Sequence, residues 1–252
     1  MSIESESDLN GMRQASEAVA ITLKRMREYA KPGISTYELD QYGASILKSF
    51  GARSAPKLAY NFPGYACICV NHEAAHGIPS KKRILQEGDL VNIDVSAELN
   101  GFFSDNGGSF VLGQDLQALI PLVQASKEIL QKAIYQIKGG IKINEIGRLI
   151  DDEAKKRGFK VIKNLCGHGI GRKLHEAPSH VANYHDSQNL SRFKKNSVVA
   201  IETFISTKAH YTTPHADGWT EMTTGFVAQH EHTIVVTDKE PVILTHENGI
   251  WN

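Results

Sequence analysis

This chain has no excess charge of either sign: 28 Lys and Arg stand against 28 Asp and Glu over 252 residues. A nucleic-acid or anionic-membrane partner normally leaves a basic excess or a basic block, so the balance argues against both. No run approaches the roughly 18 apolar residues of a membrane span. The start, Met1 to Asp8, is acidic and polar, whereas a secretory signal is basic and then apolar. Cysteine is scarce. Cys67, Cys69 and Cys166 are too few for a disulfide framework and form no C-x-x-C, which reads as reduced thiols in a cytoplasmic protein. What remains is ordinary globular composition, 41% apolar and 22% charged, in a chain long enough to bury a real core.

Helix signals open the chain. An amphipathic stretch from about Ser7 to Tyr29 is ended by Lys31-Pro32-Gly33, and Ser35 to Glu38 is a capping-box pattern that starts a second helix running to about Phe50. The pattern recurs. Lys31, Gly33, Ile34, Glu38 and Gly51 match Lys138, Gly140, Ile141, Glu145 and Gly158, all at one offset of 107 residues. A shared offset points to two related halves, about 1–112 and 113–252, within a single domain. Halves that face each other leave a cleft. Strand-like runs follow the helices: Cys67 to Val70, Leu90 to Val95, Gly108 to Leu112, Ser197 to Ile201 and His232 to Val236. The fold class expected is α+β, with helices covering a strongly curved sheet.

The sharpest local signal lies between Leu90 and Phe110. Asn100-Gly101 is the preferred pair for a two-residue type I′ hairpin. That turn pairs Leu99 with Phe102, sets Ser96 opposite Asp105, and sets Asp94 opposite Gly107. Asp94 and Asp105 then share a face as diagonal neighbours, about 7–8 Å apart at the backbone. Two carboxylates so placed either both face water or, if covered, need positive compensation. A divalent cation, or a pair about 3.5–4 Å apart, supplies it.

Other candidates are scattered. Glu202 follows the apolar run Val198 to Ile201, and Glu231 enters the run that begins at His232. Each is either an edge residue or a partnered acid. His168 sits between Gly167 and Gly169, which permit close backbone approach. One imidazole beside four carboxylates suits Mn, Fe(II), Co or Zn. His175 is a second candidate. His72-Glu73-Ala74-Ala75-His76 has the letters of a zincin motif, but that chemistry needs a helix. The strand-like Cys67 to Val70 before it and Gly77-Ile78-Pro79 after it exclude one, leaving His76 as a loop residue projecting into the cleft.

In order and spacing these residues resemble the methionine aminopeptidases of the pita-bread fold, type I. The match comprises Asp94 and Asp105, Gly167 to Gly171, Ile201-Glu202, Gln229 to Thr233, His76 to Pro79, and Gly88 to Asp94. It covers nearly the whole chain. The resemblance implies a curved antiparallel sheet in two pseudo-symmetric halves, and release of the N-terminal methionine of nascent proteins and peptides with a small second residue. It implies that Asp94, Asp105, His168, Glu202 and Glu231 hold two divalent metal ions, with Asp105 and Glu231 bridging. His76 and His175 would contact the scissile amide, and Glu202 would handle the proton. Tyr60, Phe62, Cys67 and Trp219 would wall the methionine pocket. The expected protein is a cytoplasmic monomer with neither nucleic-acid nor membrane partners. Alternatives are an Xaa-Pro aminopeptidase of the same fold, or a binding module without catalysis. The sequence departs from the family's pattern at Asn106 and Thr203, where Thr and Pro are usual; these positions bear on metal affinity and rate rather than on ligand identity.

Overall fold

The computed structural model describes residues 1–251. Two long antiparallel hairpin-like pairs form the middle of one large sheet. Leu90–Leu99 pairs with Phe102–Val111, and Val198–Ser206 pairs with Val227–Val235. The two pairs meet where Val227–Val235 lies beside Phe102–Val111. Shorter strands extend the sheet outward. Arg53–Ser54 and Cys67–Val70 share the free edge of Leu90–Leu99, while Lys160–Val161 and Cys166–Gly169 share that of Val198–Ser206. Every register in the sheet is antiparallel, as the expected architecture requires.

Helices cover one face. Glu6–Tyr29 packs on Leu90–Leu99 and Phe102–Val111, and Ile120–Ile134 packs on Val198–Ser206 and Val227–Val235. The sequence repeat has a structural counterpart. Thr36–Ser49 and Ile143–Lys156 are the second helix of each repeat, displaced by the same 107 residues. Gly33 and Gly140 take left-handed φ of 95° and 89°, and Gly51 and Gly158 take 73° and 78°. The capping box is only half made. Ser35 Oγ accepts from Glu38 N at 3.0 Å, but the Glu38 carboxylate is taken by the Tyr29 hydroxyl at 2.9 Å.

Strand alternation sorts the two faces of the sheet. Val91, Ile93 and Val95 are fully buried under Glu6–Tyr29, and Val199, Ile201 and Ile205 under Ile120–Ile134. Each such side chain adds about 1.5–3 kcal/mol when removed from water. The opposite, concave face is therefore free to carry polar groups. Gly147 shows how close the helix layer lies. A Cβ there would stand 2.2 Å from Tyr184 O and 2.6 Å from Ala182 O. Helix propensity favours alanine over glycine by about 1 kcal/mol, but backbone oxygens cannot move aside. Gly147→Ala is expected to lower the melting temperature, with overpacking costing about 1–3 kcal/mol; a thermal melt that rises would contradict the packing argument.

Several expected boundaries shift. The run beginning at His232 is part of Val227–Val235, so Glu231 lies inside a strand instead of entering one. The run Gly108 to Leu112 covers the end of the longer Phe102–Val111, with Leu112 just beyond it. Glu73–Ala75 is a strand and His76 follows it at φ 55°, so the H-E-x-x-H letters do not form a helix. Among the elements without a sequence expectation are the short helix Ala55–Tyr60, the strand Glu176–Ala182, and the hairpin Thr213–Pro214 with Glu221–Met222, which joins Glu73–Ala75 in a separate small sheet.

Candidate metal centre

The first hairpin has the register that its turn dictates. Asn100 and Gly101 both have positive φ, 53° and 82°, as a type I′ turn requires. Asp94 stands opposite Gly107 and Ser96 opposite Asp105, which places both aspartates on the concave face. Glu202 and Glu231 are direct cross-strand partners in the other pair. His168 is opposite Ala200 on the neighbouring strand. One ligand atom each from Asp105, His168 and Glu231 falls within 4.8 Å of the others. Asp94 and Glu202 line the same cavity, which has a volume of about 330 Å³.

Four carboxyl groups in one pocket cannot all ionise cheaply. Burial pushes the Asp105, Glu202 and Glu231 carboxyls well above the usual carboxylate range, and their mutual repulsion adds to the shift. Burial raises Asp94 as well, offset in part by its hydrogen bond with Asp105. His168 goes the other way. Burial, with His175 beside it, holds its imidazole down at about 4, so it is neutral at neutral pH. Its Nε2 lies 3.8 Å from Asp105 Oδ2, a contact that is therefore no ion pair. Its Nδ1–H donates to Gly169 O at 3.0 Å, which leaves the Nε2 lone pair facing the acids. Asp105 Oδ1 and Glu231 Oε1 are buried without any partner. A bare imidazole nitrogen and two orphaned carboxylate oxygens in one small space fit a divalent cation by donor type.

The remaining site residues also line this cavity. His76 is an exposed side chain on its left-handed turn. His175 lies tilted against His168, centroids 4.1 Å apart at 49°, and burial, then His76, lowers its pKa. Phe62 is buried and meets Trp219 edge-on, centroids 5.3 Å apart at 83°. Cys67, opposite Asp94, has its thiol pushed well up by burial and then by Asp94, so it presents an uncharged wall. Tyr60 lines the cavity at its rim, 47% exposed, with its hydroxyl 2.6 Å from His175 Nδ1, so it also braces the histidine.

Sequence reasoning gave no role to Gln229 or Asn92. Gln229 Nε2 donates to Glu231 Oε2 at 3.1 Å, and Asn92 Nδ2 donates to Gln229 Oε1 at 2.7 Å. The chain Asn92–Gln229–Glu231 fixes one oxygen of Glu231 and leaves the other free. Alternation already placed residue 229 on the face of 231, so the signal was there. The two departures from the family pattern point away from the cavity. Asn106 donates to Val95 O at 3.1 Å and accepts from Asn248 at 3.1 Å, and the Thr203 hydroxyl lies 3.0 Å from that of Ser126 in the helix layer. A larger groove, about 580 Å³, lies between the helices Thr36–Ser49 and Ala55–Tyr60. Lys48, Arg53 and Lys57 line it, and it holds no converging acids.

The profile of Metallopeptidase family M24 matches residues 10–238, and the chain belongs to this family. It is a metal-dependent hydrolase with the pita-bread fold. It is 49% identical over 247 residues to Methionine aminopeptidase 2 of Bacillus subtilis (strain 168), covering 97% of this chain and 99% of that protein. The crystal structure of a methionine aminopeptidase from Thermotoga maritima superposes with a TM-score of 0.92 at 32% identity, covering 97% of this chain and 99% of that one. Prolidase from Pyrococcus furiosus shares the fold at 22% identity and TM-score 0.78, with 65% of its length covered. No helix among the described residues is long and apolar enough to cross a membrane.

Proposed function

We propose that this chain is a methionyl aminopeptidase that removes the N-terminal methionine from nascent proteins and peptides with a small second residue. The observation that carries the reading is the convergence of a neutral imidazole and four acids, Asp105 and Glu231 buried among them, beside an apolar recess. The near full-length match to proteins named methionine aminopeptidase supports it. Asp94, Asp105, His168, Glu202 and Glu231 would hold two divalent ions. The donor set, mostly oxygen with one nitrogen, admits Mn, Fe(II), Co or Zn. When bound, the ions lower the pKa of a water from about 15.7 toward about 7 and polarise the scissile carbonyl.

The chain's own groups do the rest. Phe62, Cys67 and Trp219 receive the thioether side chain. Glu202, with its carboxyl raised by burial and by Asp94 and Asp105, takes a proton at its carboxylate and returns it to the leaving amine. His175 donates from Nε2 to the carbonyl oxygen as negative charge develops, provided Tyr60 donates to Nδ1. His76, on the lining of the same cavity, contacts the scissile amide as well. We place the enzyme in the cytoplasm as a monomeric single domain of two halves, acting without nucleic acid or membrane.

Purified protein loaded with manganese or cobalt is expected to release methionine from Met-Ala-Ser, read by chromatography of the free amino acid. Cleavage of Xaa-Pro peptides in place of Met-Ala-Ser would assign it to the proline-specific relatives. No stoichiometric metal by equilibrium dialysis would make it a binding module.

A further inference from the structure

The wall of the recess is unequally supported. Phe62 is 2% exposed and held from all sides. Trp219 is half-buried, at the tip of the hairpin whose strands are Thr213–Pro214 and Glu221–Met222, and its indole has Phe62 as its aromatic partner. Something other than core packing must fix where that indole stands. The tip supplies one candidate. Asp217 Oδ1 accepts from both Trp219 N and Thr220 N, each at 2.8 Å. Its Oδ2 accepts from the Thr220 hydroxyl at 2.7 Å and lies 3.1 Å from His215 Nδ1. Gly218, at φ 79°, lets the chain turn back over the carboxylate, and His215 N closes the loop on Thr220 O at 2.8 Å. One carboxylate thus collects the amide of Trp219 and both donors of the residue after it.

The other end of the hairpin is anchored separately. Thr212 Oγ1 donates to Glu221 Oε2 at 2.5 Å, and Asn164 Nδ2 donates to Thr212 Oγ1 at 2.8 Å. Glu221 and Met222 also pair with Glu73–Ala75. The base is therefore fixed with or without Asp217, and the tip is not.

We infer that Asp217 is a positioning residue for side-chain selectivity: through the turn amides it sets the Trp219 indole against Phe62 and so the shape of the recess that receives the first residue of the substrate. This rests on the proposed aminopeptidase reading. The part that matters is the acceptor pair at Oδ1, which an amide oxygen reproduces.

The test compares Asp217→Ala with Asp217→Asn. Kinetics use Met-Ala-Ser and Leu-Ala-Ser with manganese-loaded enzyme. Emission uses the metal-free protein in a Trp251→Phe background, where Trp219 is the only tryptophan. For Asp217→Ala, KM for Met-Ala-Ser should rise about tenfold with kcat within about twofold, and the preference for methionine over leucine should narrow. Its emission should shift to the red with greater acrylamide quenching. Asp217→Asn should resemble the parent in both. If Asp217→Ala gives no native melt, Asp217→Ser, with a single shorter acceptor, should show the same changes to a lesser degree. Unchanged KM and emission in the folded Ala or Ser variant would overturn the inference. So would an Asn variant as impaired as Ala, because charge and not the acceptor pair would then be responsible. A parent enzyme inactive on Met-Ala-Ser would remove the aminopeptidase reading, while the emission comparison would still decide whether Asp217 places Trp219.

Discussion

Glu231→Gln leaves a folded protein that releases methionine from Met-Ala-Ser at about one thousandth of the parent rate or less, a loss of the size expected when a group that stabilises transition-state charge fails. The position allows little else. Glu231 is 1% exposed, faces Glu202 across the strand pair, and has Oε2 already taken by Gln229. Only Oε1 is free, and it has no partner. An amide has the same outline but no negative charge, and it puts an N–H₂ either toward Gln229 Nε2, donor against donor, or into the space where a cation would sit. The measurement is the rate of methionine release alongside metal content and a circular-dichroism melt. A variant that keeps both its bound metal and its rate would remove Glu231 from the ligand set and with it the bridging role.

How much of this was readable beforehand depends on whether a turn could be counted. Asn100-Gly101 fixes the register of Asp94 and Asp105 because two residues admit only one pairing. The 107-residue offset was equally legible, since glycines that must take positive φ cannot drift. The apposition of Glu202 and Glu231 was not. Their strands are separated by the hairpin at 213–222, and no short turn sets their register. For the same reason nothing in the sequence tied Trp219 to Phe62, or Tyr60 to His175. The resemblance supplied the proposed ligand set, while the geometry added what no motif carries: the Asn92–Gln229–Glu231 chain, and the placement of Asn106 and Thr203 away from the cavity. Both departures sit one residue from a proposed ligand, and strand alternation turns them into the helix layer.

The second large effect runs opposite to the first, since a substitution that ends catalysis stabilises the metal-free protein. Asp105→Asn is expected to melt higher than the parent in EDTA at pH 8, by about 2–4 °C for each kcal/mol of relieved repulsion at this chain length. Asp105 is 7% exposed, its Oδ1 has no partner, and burial followed by Glu231 and Asp94 raises its carboxyl well above the ordinary range. A carboxyl whose native pKa is raised binds more protons folded than unfolded once the pH passes its ordinary value. The stability of the metal-free parent therefore falls as pH rises through the raised range. Asparagine removes one of the crowded charges, so the variant's slope with pH should be shallower and the gap between the two proteins should close on acidification. Manganese reverses the ranking. A ligand at one hundred times its dissociation constant stabilises by about 2.7 kcal/mol, which the parent should gain and the variant should largely forgo. Melts of both proteins at pH 6 and pH 8, in EDTA and in manganese, give the complete comparison. If Asp105→Asn melts below the parent in EDTA, the aspartate is already compensated by protein groups, and no cation is needed to explain why four acids share one cavity.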